Sequence, residues 1–258
     1  MVKINREYQR RVLLSLFLVL FSANTHAKEI GLHASQVYLI ESYQNSLENI
    51  TDFSKEIDIK EKLTLNSNNV PFLKKVGAIE IDVTYLEDYR NLFVSYGKTD
   101  SDGELVRFQS FSGKLVTLQS YLSEVSKHFN GIVWLDLKYS TTYDLSNVCN
   151  IVKSKENDFR EIYVETQSTF HSTILRLLGC DSIYWISNKD IGTRPFSLDI
   201  IGLFSNFNVS GSFTNYNIIK DNYSDANIFL WTNGIKKFDS IQFPSAELVL
   251  YDLHLINN

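Results

Sequence analysis

The sequence predicts an α/β fold, a (β/α)8 barrel of the TIM type in a single domain. Apolar runs of strand length recur along the chain, beginning near residues 37, 78, 131, 161, 182, 208, 227 and 247. Most of these runs are separated by segments with the apolar period of a helix. Eight strands that alternate with helices over about 231 residues are typical of this barrel. A doubly wound open sheet is the alternative, but the chain has no GxGxxG or Walker loop to bind a nucleotide on such a sheet.

In the first half of the chain, the runs VYLIESY (37–43), AIEIDV (78–83) and GIVWLDLKY (131–139) predict strands one to three. NLFVSYG and GELVRFQSF predict a hairpin-like excursion after the second strand. A polar segment at 45–57 and the segment 115–129 both have a helical pattern. Asn130-Gly131 provides a stop signal for the second of these helices.

The alternation becomes regular after residue 140. DLSNVCNIVKSKEN, STFHSTILRLLG and SLDIIGLFSNF predict helices, and the second of them ends at Gly179. EIYVET, SIYWIS, NVSGSF, NIFLWT and ELVLYDL predict strands four to eight.

Residues 1–27 have the three-part organisation of a cleaved secretory signal peptide. Four basic residues precede a short apolar run at 12–23, and the small-residue exit Thr25-His26-Ala27 follows it. The apolar run is too short to span a bilayer comfortably, and no second candidate segment appears. We therefore expect an exported mature chain, 28–258, that is periplasmic or secreted and has no transmembrane segment. An uncleaved N-terminal anchor is the alternative.

The net charge disfavours nucleic acid as a partner. The chain has 25 Lys/Arg and 30 Asp/Glu, and removal of residues 1–27 leaves 21 against 29. An acidic chain without a basic cluster is a poor ligand for nucleic acid or for anionic lipid. Cys149 and Cys180 are the two cysteines. Export permits a disulfide between them, and two buried thiols are the alternative.

Charged residues interrupt two of the predicted strands. Because strand side chains alternate, Glu80 and Asp82 share one face of the second strand, and Asp136 and Lys138 share one face of the third. The opposite faces are aliphatic and suit packing against outer helices. The polar faces then point into the barrel, near the strand ends where barrel enzymes have their chemistry. On the fourth strand, Tyr163 and Glu165 can join them by the same alternation.

Several carboxylates that face one another need a positive charge between them to stay ionised. A divalent cation, Ca²⁺ or Mg²⁺, satisfies this need because it prefers oxygen ligands, so Glu80, Asp82 and Asp136 are candidate metal ligands. The alternative is a structural network of Lys138 with two of the acids.

Three tryptophans lie one each on the strands numbered three, five and seven: Trp134, Trp185 and Trp231. Core filling is their usual role. Trp231 is the best candidate for substrate binding because it lies at a strand end, in LWTNG. No G-x-S-x-G motif and no zinc-ligand spacing of the mature histidines is present.

Seven segments together resemble the glycerophosphodiester phosphodiesterases, in the order of that family and over nearly all of the mature chain. GAIEIDV resembles the family's metal-binding strand, WLDLK its E-I-K motif and FLWTNG its V-W-T-V-N motif. NSLENITDF, TLQSYLSEV, QSTFHSTILRLL and LVLYDL resemble the P-E-N-T segment, the Thr-Leu-x-x-x-Leu helix, the Ser-Phe segment and the I-I-T-D-Y-P ending. The resemblance implies a phospholipase-C-like barrel that hydrolyses phosphodiesters with a metal held by Glu80, Asp82 and Asp136. It implies that Lys138 contacts the phosphate.

The sequence departs from the family at both acid/base histidines. Glu41-Ser42-Tyr43 stands where the family has His-Arg-Gly, and Tyr96-Gly97 stands where it has His-Asp. Tyr96 is therefore the one possible catalytic residue at these positions, and His33 is a displaced first histidine if strand one lies earlier. Asp136 is also one methylene shorter than the family's glutamate.

Two functions remain open on this basis. The first is an exported, divergent phosphodiesterase with weak or altered activity on a small phosphodiester, in which Lys138, Glu165 and Trp231 bind the substrate. The second is a non-catalytic barrel that binds a phosphorylated glycan, a lipid headgroup or another envelope component. The sequence leaves the substrate and the oligomeric state open.

Overall fold

The computed structural model describes residues 29–32, 47–50, 58–60, 73–74, 76–95, 97–99, 105–111, 114–139, 142–198, 207–232, 243 and 245–251. The predicted signal peptide, the segment 37–43 and Tyr96 lie outside these residues, as do His33 and His254.

Fourteen strands lie within the described residues. They are β1 (Glu29–Leu32), β2 (Leu47–Ile50), β3 (Asp58–Lys60), β4 (Ala78–Leu86), β5 (Asn91–Val94), β6 (Gly97–Thr99), β7 (Leu105–Phe111), β8 (Lys114–Val116), β9 (Ile132–Tyr139), β10 (Glu161–Thr166), β11 (Asp181–Trp185), β12 (Asn208–Ser212), β13 (Asn227–Trp231) and β14 (Ala246–Tyr251).

Helices follow four of these strands in the described part of the chain. They are α1 (Leu118–Val125), α2 (Thr142–Lys155), α3 (Thr169–Leu177) and α4 (Tyr216–Asn222). Short 3-10 turns occupy Glu87–Tyr89 and Phe213–Asn215. Side-chain caps explain two of the helix starts, because the Thr117 hydroxyl accepts from the Ser120 amide and the Ser168 hydroxyl accepts from the His171 amide. Gly179, with φ of +82°, follows α3 in a left-handed conformation that suits glycine.

Eight of the strands form a parallel sheet that curls on itself. The order is β1-β14-β13-β12-β11-β10-β9-β4, and β1 also pairs with β4 through Gly31 and Leu32. The pairings among the described strands therefore form a ring, which is compatible with the predicted TIM-type barrel. The mixed α/β class and the strands predicted at 78–83 and after residue 130 are confirmed.

Two features of the N-terminal part differ from the prediction: the position of the first ring strand and the secondary structure within 45–57. The first strand of the ring is Glu29–Leu32, eight residues before the predicted run at 37–43. The strand is only four residues long and contains a glycine, so its apolar pattern is weak beside that of VYLIESY. The segment 45–57 was predicted as a helix, but Leu47–Ile50 is a strand that pairs antiparallel with β7. Tertiary pairing overrides a weak local preference there.

A second, five-stranded sheet accompanies the barrel. Its order is β2-β7-β8-β3, with β6 paired to β7. The predicted hairpin excursion is thus part of a larger sheet built from chain segments on either side of β4. An isolated bridge between Phe93 and Thr117 connects β5 to the end of β8.

The apolar residues form two layers around the barrel wall, as the alternation predicts. Ile79, Ile81 and Val83 lie in the cluster between the strands and the helices, with residues of α1 and α2 such as Leu122 and Leu145. A separate cluster lies inside the barrel: Ala78, Ile132, Trp134, Ile183, Phe229, Leu248 and Leu250. The predicted acidic residues lie nearer the carboxyl ends of the strands.

A disulfide joins Cys149 in α2 to Cys180, the residue before β11, with a Cα–Cα distance of 5.8 Å. The bridge, rather than two buried thiols, is therefore what the structure contains. It connects two neighbouring βα units on the outside of the barrel.

The helices within the described residues are all too short or too polar to cross a membrane.

Candidate functional site

The register of adjacent strands brings the predicted acidic residues into one row. Asp82 on β4 lies opposite Asp136 on β9, and Asp136 lies opposite Glu165 on β10. Glu80 lies two residues below Asp82 on the same face of β4. Because these strands are parallel and their side chains alternate, all four carboxylates project into the upper interior of the barrel.

Three of these carboxylates are close enough to share one ion. One oxygen from each of Glu80, Asp82 and Asp136 lies within 4.8 Å of the other two. Ca²⁺ binds oxygen at about 2.3–2.6 Å, so ligand oxygens on one ion lie within about 5 Å of each other. The spacing of the donors therefore fits a divalent cation.

Lys138 provides a positive charge beside the same carboxylates. Its ammonium lies 2.7 Å from Asp82 Oδ1 and donates to Asp136 Oδ2. Burial alone would lower the pKa of Lys138, but the attraction of Asp136, Asp82 and Glu80 outweighs it and raises the pKa. The lysine is therefore fully charged at neutral pH, and it satisfies part of the charge requirement that a metal would satisfy.

Burial raises the pKa values of the neighbouring carboxyl groups, whereas ion pairing with a lysine would lower them. It raises the pKa of Asp136 despite the attraction of Lys138, and the charge of Asp82 adds to the rise. Burial and then the charge of Asp136 hold the pKa of Glu165 well above its usual range. The Ser210 hydroxyl on β12 donates to Glu165 Oε1, which fixes the orientation of this carboxyl. The row therefore has more acid groups than the lysine can neutralise.

A cavity of about 220 Å³ lies above the row of acids. Polar groups from Glu80, Asp136, Lys138, Glu165 and Gln167 form part of its lining. Trp134, Trp185, Trp231 and Leu250 form the remainder. The site thus combines a charged floor with aromatic walls, which suits a ligand that has one ionic and one apolar part.

The segment after β11 is fixed by several side-chain contacts. Asp190 accepts hydrogen bonds from the hydroxyls of Tyr184 (2.8 Å) and Ser187 (2.6 Å), and its carbonyl accepts from Tyr223 (2.9 Å). Arg194 binds both carboxylate oxygens of Asp225, at 2.5 and 3.0 Å. The guanidinium also lies 4.7 Å from the centre of the Phe207 ring. These contacts connect the segment 187–198 to β11, to Phe207 and to the residues that follow α4.

The predicted substrate-binding residues all line the cavity, whereas Tyr163 does not. Lys138, Glu165 and Trp231 are in its lining. Tyr163 lies two residues below Glu165, packs edge-on against Phe229 at 4.9 Å and donates to Glu161 at the amino end of the strands. The prediction that Tyr163 and Glu165 share one face of β10 is correct. Tyr163 lies nearer the amino ends of the strands, however, and so does not reach the row of acids.

The two possible acid/base residues, Tyr96 and His33, lie outside the described residues. The neighbour of Tyr96, Ser95, is buried, and its carbonyl accepts from the Thr84 hydroxyl at 2.9 Å. His128 is exposed after α1, and His171 is half-buried in the first turn of α3.

Sequence reasoning missed Trp185, Gln167 and Ser210. Trp185 and Gln167 stand at or just beyond the carboxyl ends of β11 and β10, and this position alone marks a residue of a barrel mouth. Ser210 is at a position of β12 whose side chain points into the barrel. A serine within a strand does not indicate which residue it will bind, so its contact with Glu165 could not be read from the sequence.

No family model and no curated protein matches the sequence. Solved structures do. A glycerophosphodiester phosphodiesterase from Agrobacterium tumefaciens is 14% identical, with a TM-score of 0.51 over 87% of this chain and 96% of that one. A phosphodiesterase from Oleispira antarctica, in complex with the product sn-glycerol-3-phosphate, is 13% identical, with a TM-score of 0.53 over 87% of this chain and 92% of that one. The chain therefore has the fold of the glycerophosphodiester phosphodiesterases, in a form whose sequence has diverged far from these neighbours.

Proposed function

We propose that the protein is a divergent, metal-assisted phosphodiester hydrolase that acts at the carboxyl end of the barrel. The observation that carries this proposal is the group Glu80, Asp82 and Asp136, whose oxygens are spaced for one divalent cation beneath an open cavity. The likeness in fold to phosphodiesterases, one of them bound to sn-glycerol-3-phosphate, supports a small phosphodiester as the ligand.

Each residue of the site then has a distinct role. Glu80, Asp82 and Asp136 hold Ca²⁺ or Mg²⁺, which supplies charge stabilisation for the phosphoryl oxygens. Lys138 turns its ammonium to a phosphate oxygen, since it lies beside the ligands and faces the cavity. Glu165 and Trp231 bind the remainder of the substrate, the former by a carboxyl that Ser210 orients and the latter by its ring.

The proton transfers require an acid and a base that the carboxylate ligands do not provide. The position of β1 supports His33 for one of these roles, because His33 is the residue immediately after Leu32, the last residue of the first strand. In parallel barrels this strand end faces the mouth. Tyr96 is the candidate for the second role. We expect the activity to be weak, because the two family histidines are missing from their usual positions and each positioned acid or base contributes about 10²–10⁴-fold.

The alternative is a barrel that binds a phosphorylated envelope component without cleaving it. The pairing of Lys138 with both Asp82 and Asp136 favours this alternative, since it gives two of the three candidate ligands an ion-pair partner without a metal. Saturable binding of glycerol 3-phosphate without turnover of any diester is the outcome that this function predicts.

Calorimetric titration of Ca²⁺ and of Mg²⁺ into the purified protein tests the metal site. We expect saturable binding by the wild type and its loss in the double variant Glu80→Gln, Asp82→Asn. Loss of a group that only orients a metal ligand lowers metal affinity by about 10–100-fold, so we expect the loss of two ligands to lower it further. The matched control is Glu161→Gln, Asp181→Asn, which removes two exposed carboxylates at the other end of the barrel.

Hydrolysis is measured in parallel with bis(p-nitrophenyl) phosphate and with a glycerophosphodiester. Product that EDTA abolishes supports the hydrolase. Turnover that survives EDTA, or an absence of heat on titration of a folded wild type, contradicts the metal-assisted reaction.

We place this function outside the cytoplasm, on the basis of the signal-peptide pattern in residues 1–27. N-terminal sequencing of the protein from its native host tests this location. A mature chain that begins near Lys28 is expected, whereas retention of residues 1–27 contradicts cleavage.

A further inference from the structure

A second cavity lies at the base of the barrel, at the amino ends of the strands. Its volume of about 280 Å³ exceeds the 220 Å³ of the cavity at the mouth. Ile132 and Glu161, the first residues of β9 and β10, pair in register and both line it. The remaining lining residues are Arg160, Tyr163, Phe229, Glu247 and Leu248. Small-molecule sites have volumes of about 300–1,000 Å³, so this cavity suits a small ligand.

The inner wall of this basal cavity is aromatic and aliphatic. Phe229 is 1% exposed, and the ring of Tyr163 packs edge-on against it with the ring centres 4.9 Å apart. Ile132 and Leu248 are buried in the same cluster. On its other side Phe229 contacts Trp134, at 5.6 Å between ring centres, and Trp134 lines the cavity at the mouth. A single layer of aromatic contact therefore separates the basal cavity from the row of acids.

Acidic side chains dominate the polar part of the basal cavity. Glu161 and Glu247 line it, and the Tyr163 hydroxyl donates to Glu161. Asp181 lies opposite Tyr163 in the register of β10 with β11. Burial, the hydrogen bond to Glu161 and the charges of all three carboxylates raise the pKa of Tyr163, in that order. Because Arg160 is the one cation among the described residues of the lining, the carboxylates outnumber the positive charge there.

These two halves of the lining define the chemistry of a ligand. An ammonium group donates strong, charge-assisted hydrogen bonds to carboxylates, and aromatic rings attract organic cations. The carbon chain of such an ion fills the apolar part of the cavity. A bare metal ion prefers oxygen ligands and would leave the aromatic wall in contact with water. An anion would face the carboxylates.

We propose that the basal cavity is a binding site for a small organic ammonium ion. The ammonium group binds Glu161 and Glu247, and the carbon chain packs against the rings of Tyr163 and Phe229. None of these residues belongs to the row of acids at the mouth. The site is therefore independent of the proposed hydrolase function.

Calorimetric titration of butylammonium chloride into the purified protein, in EDTA, tests this site. 1-Butanol and sodium butyrate are the matched compounds, because they have a similar chain with a neutral or a negative head. We expect saturable binding of butylammonium and none of the other two. This comparison of compounds needs no variant.

The variant Glu247→Gln is expected to bind butylammonium at least about tenfold more weakly, since it removes one charged acceptor from the lining. The matched control is Glu156→Gln. Glu156 is exposed, follows α2 at the same end of the barrel and is not part of the lining. Glu80→Gln, Asp82→Asn removes two acids at the mouth and is expected to retain the binding.

Selective binding of butylammonium that is weakened in Glu247→Gln and retained in the other two variants supports the proposal. No saturable binding by the folded wild type, equal binding of 1-butanol, equal loss in Glu156→Gln, or loss in the Glu80, Asp82 double variant overturns it. Circular dichroism verifies that the variants are folded. If Glu247→Gln does not fold, Glu161→Gln, Asp181→Asn replaces it, and undiminished binding by that variant overturns the proposal. Because the assay is run in EDTA and needs no turnover, its failure leaves the hydrolase proposal untouched.

Discussion

At the scale of single residues, Lys138 decides how the site is to be understood. Its ammonium forms ion pairs with Asp82 and Asp136 in the barrel interior, yet it also faces the cavity where a phosphate would bind. If a cation occupies the carboxylates, Lys138 becomes available to the ligand. If no cation binds, Lys138 is the structural counter-ion of the row.

Replacement of Lys138 by methionine separates these roles. Removal of one partner from a buried ion pair costs about 3–5 kcal/mol, so the free energy of unfolding measured in urea with EDTA is expected to fall by that order. Saturating Ca²⁺ is expected to restore part of the loss, because an ion that binds only the folded state stabilises it.

The control for this substitution is Lys155→Met, which breaks the more exposed pair with Asp158 and is expected to cost about 1 kcal/mol or less. A loss in Lys138→Met that Ca²⁺ leaves unchanged contradicts cation binding at the carboxylates.

The composition of the row could be predicted from alternation alone. Glu80, Asp82, Asp136 and Lys138 have the same phase on neighbouring strands, and this property depends only on residue spacing. The contact of Glu165 with Ser210 could not be predicted, because it depends on how far the sheet curls between β10 and β12. The position of Tyr163 depends in the same way on its height in the barrel.

At the scale of elements, β1 shows where sequence patterns fail. It has four residues, one of them Gly31, so neither propensity nor period marks it as a strand. Its place in the ring depends on pairing with β14 and β4, both distant in sequence. A Cβ on Gly31 would lie 2.6 Å from Leu250 Cδ2 and 2.8 Å from Ala78 Cβ. Glycine is therefore needed for the close approach of three strands.

Gly31→Ala is expected to lower the free energy of unfolding by about 1–3 kcal/mol through overpacking. Gly192→Ala is the control, because a Cβ at that position meets no atom within 4 Å. Chemical unfolding of both variants measures the difference. Equal stability of the two variants contradicts the close packing of β1 against Ala78.

At the scale of the whole molecule, β4 and the strands after residue 130 were predictable, whereas β1 and the extent of the second sheet were not. In the later part each strand pairs with its successor in sequence, so the local alternation of strand and helix is also the order of the ring. The earlier part interleaves two sheets, and β2 pairs with β7 across more than fifty residues. Local patterns give no information about such pairings. The cavity with its tryptophan lining could not be predicted either, because it depends on how the strand ends are arranged in three dimensions.

The disulfide between Cys149 and Cys180 is expected to stabilise the whole domain. Closure of a loop with a sequence separation of 31 corresponds to about 3–4 kcal/mol in the loop-entropy treatment. Addition of a reductant is therefore expected to lower the free energy of unfolding by about 2–4 kcal/mol, as measured by urea denaturation.

The double variant Cys149→Ser, Cys180→Ser serves as the control for this measurement, because a reductant has no bond to break in it. A reductant that leaves the wild type unchanged contradicts a stabilising bridge.

The pairing of β1 with β4 also makes one side of the barrel easier to open than the others. One edge of β4 is paired to β9 from Ala78 to Thr84, whereas the other is divided between β1 at Ala78 and Ile79 and β5 at Val83 to Leu86. Local unfolding of the barrel therefore begins most readily where β1 meets β4, since few hydrogen bonds have to break there. Such an opening separates β1 from β4 while β1 stays paired with β14 along Glu29–Leu32, and the register of Asp82 with Asp136 is unchanged. If His33 and the carboxylates act as proposed, warming is therefore expected to abolish hydrolysis at a lower temperature than cation binding, and both before the fold melts.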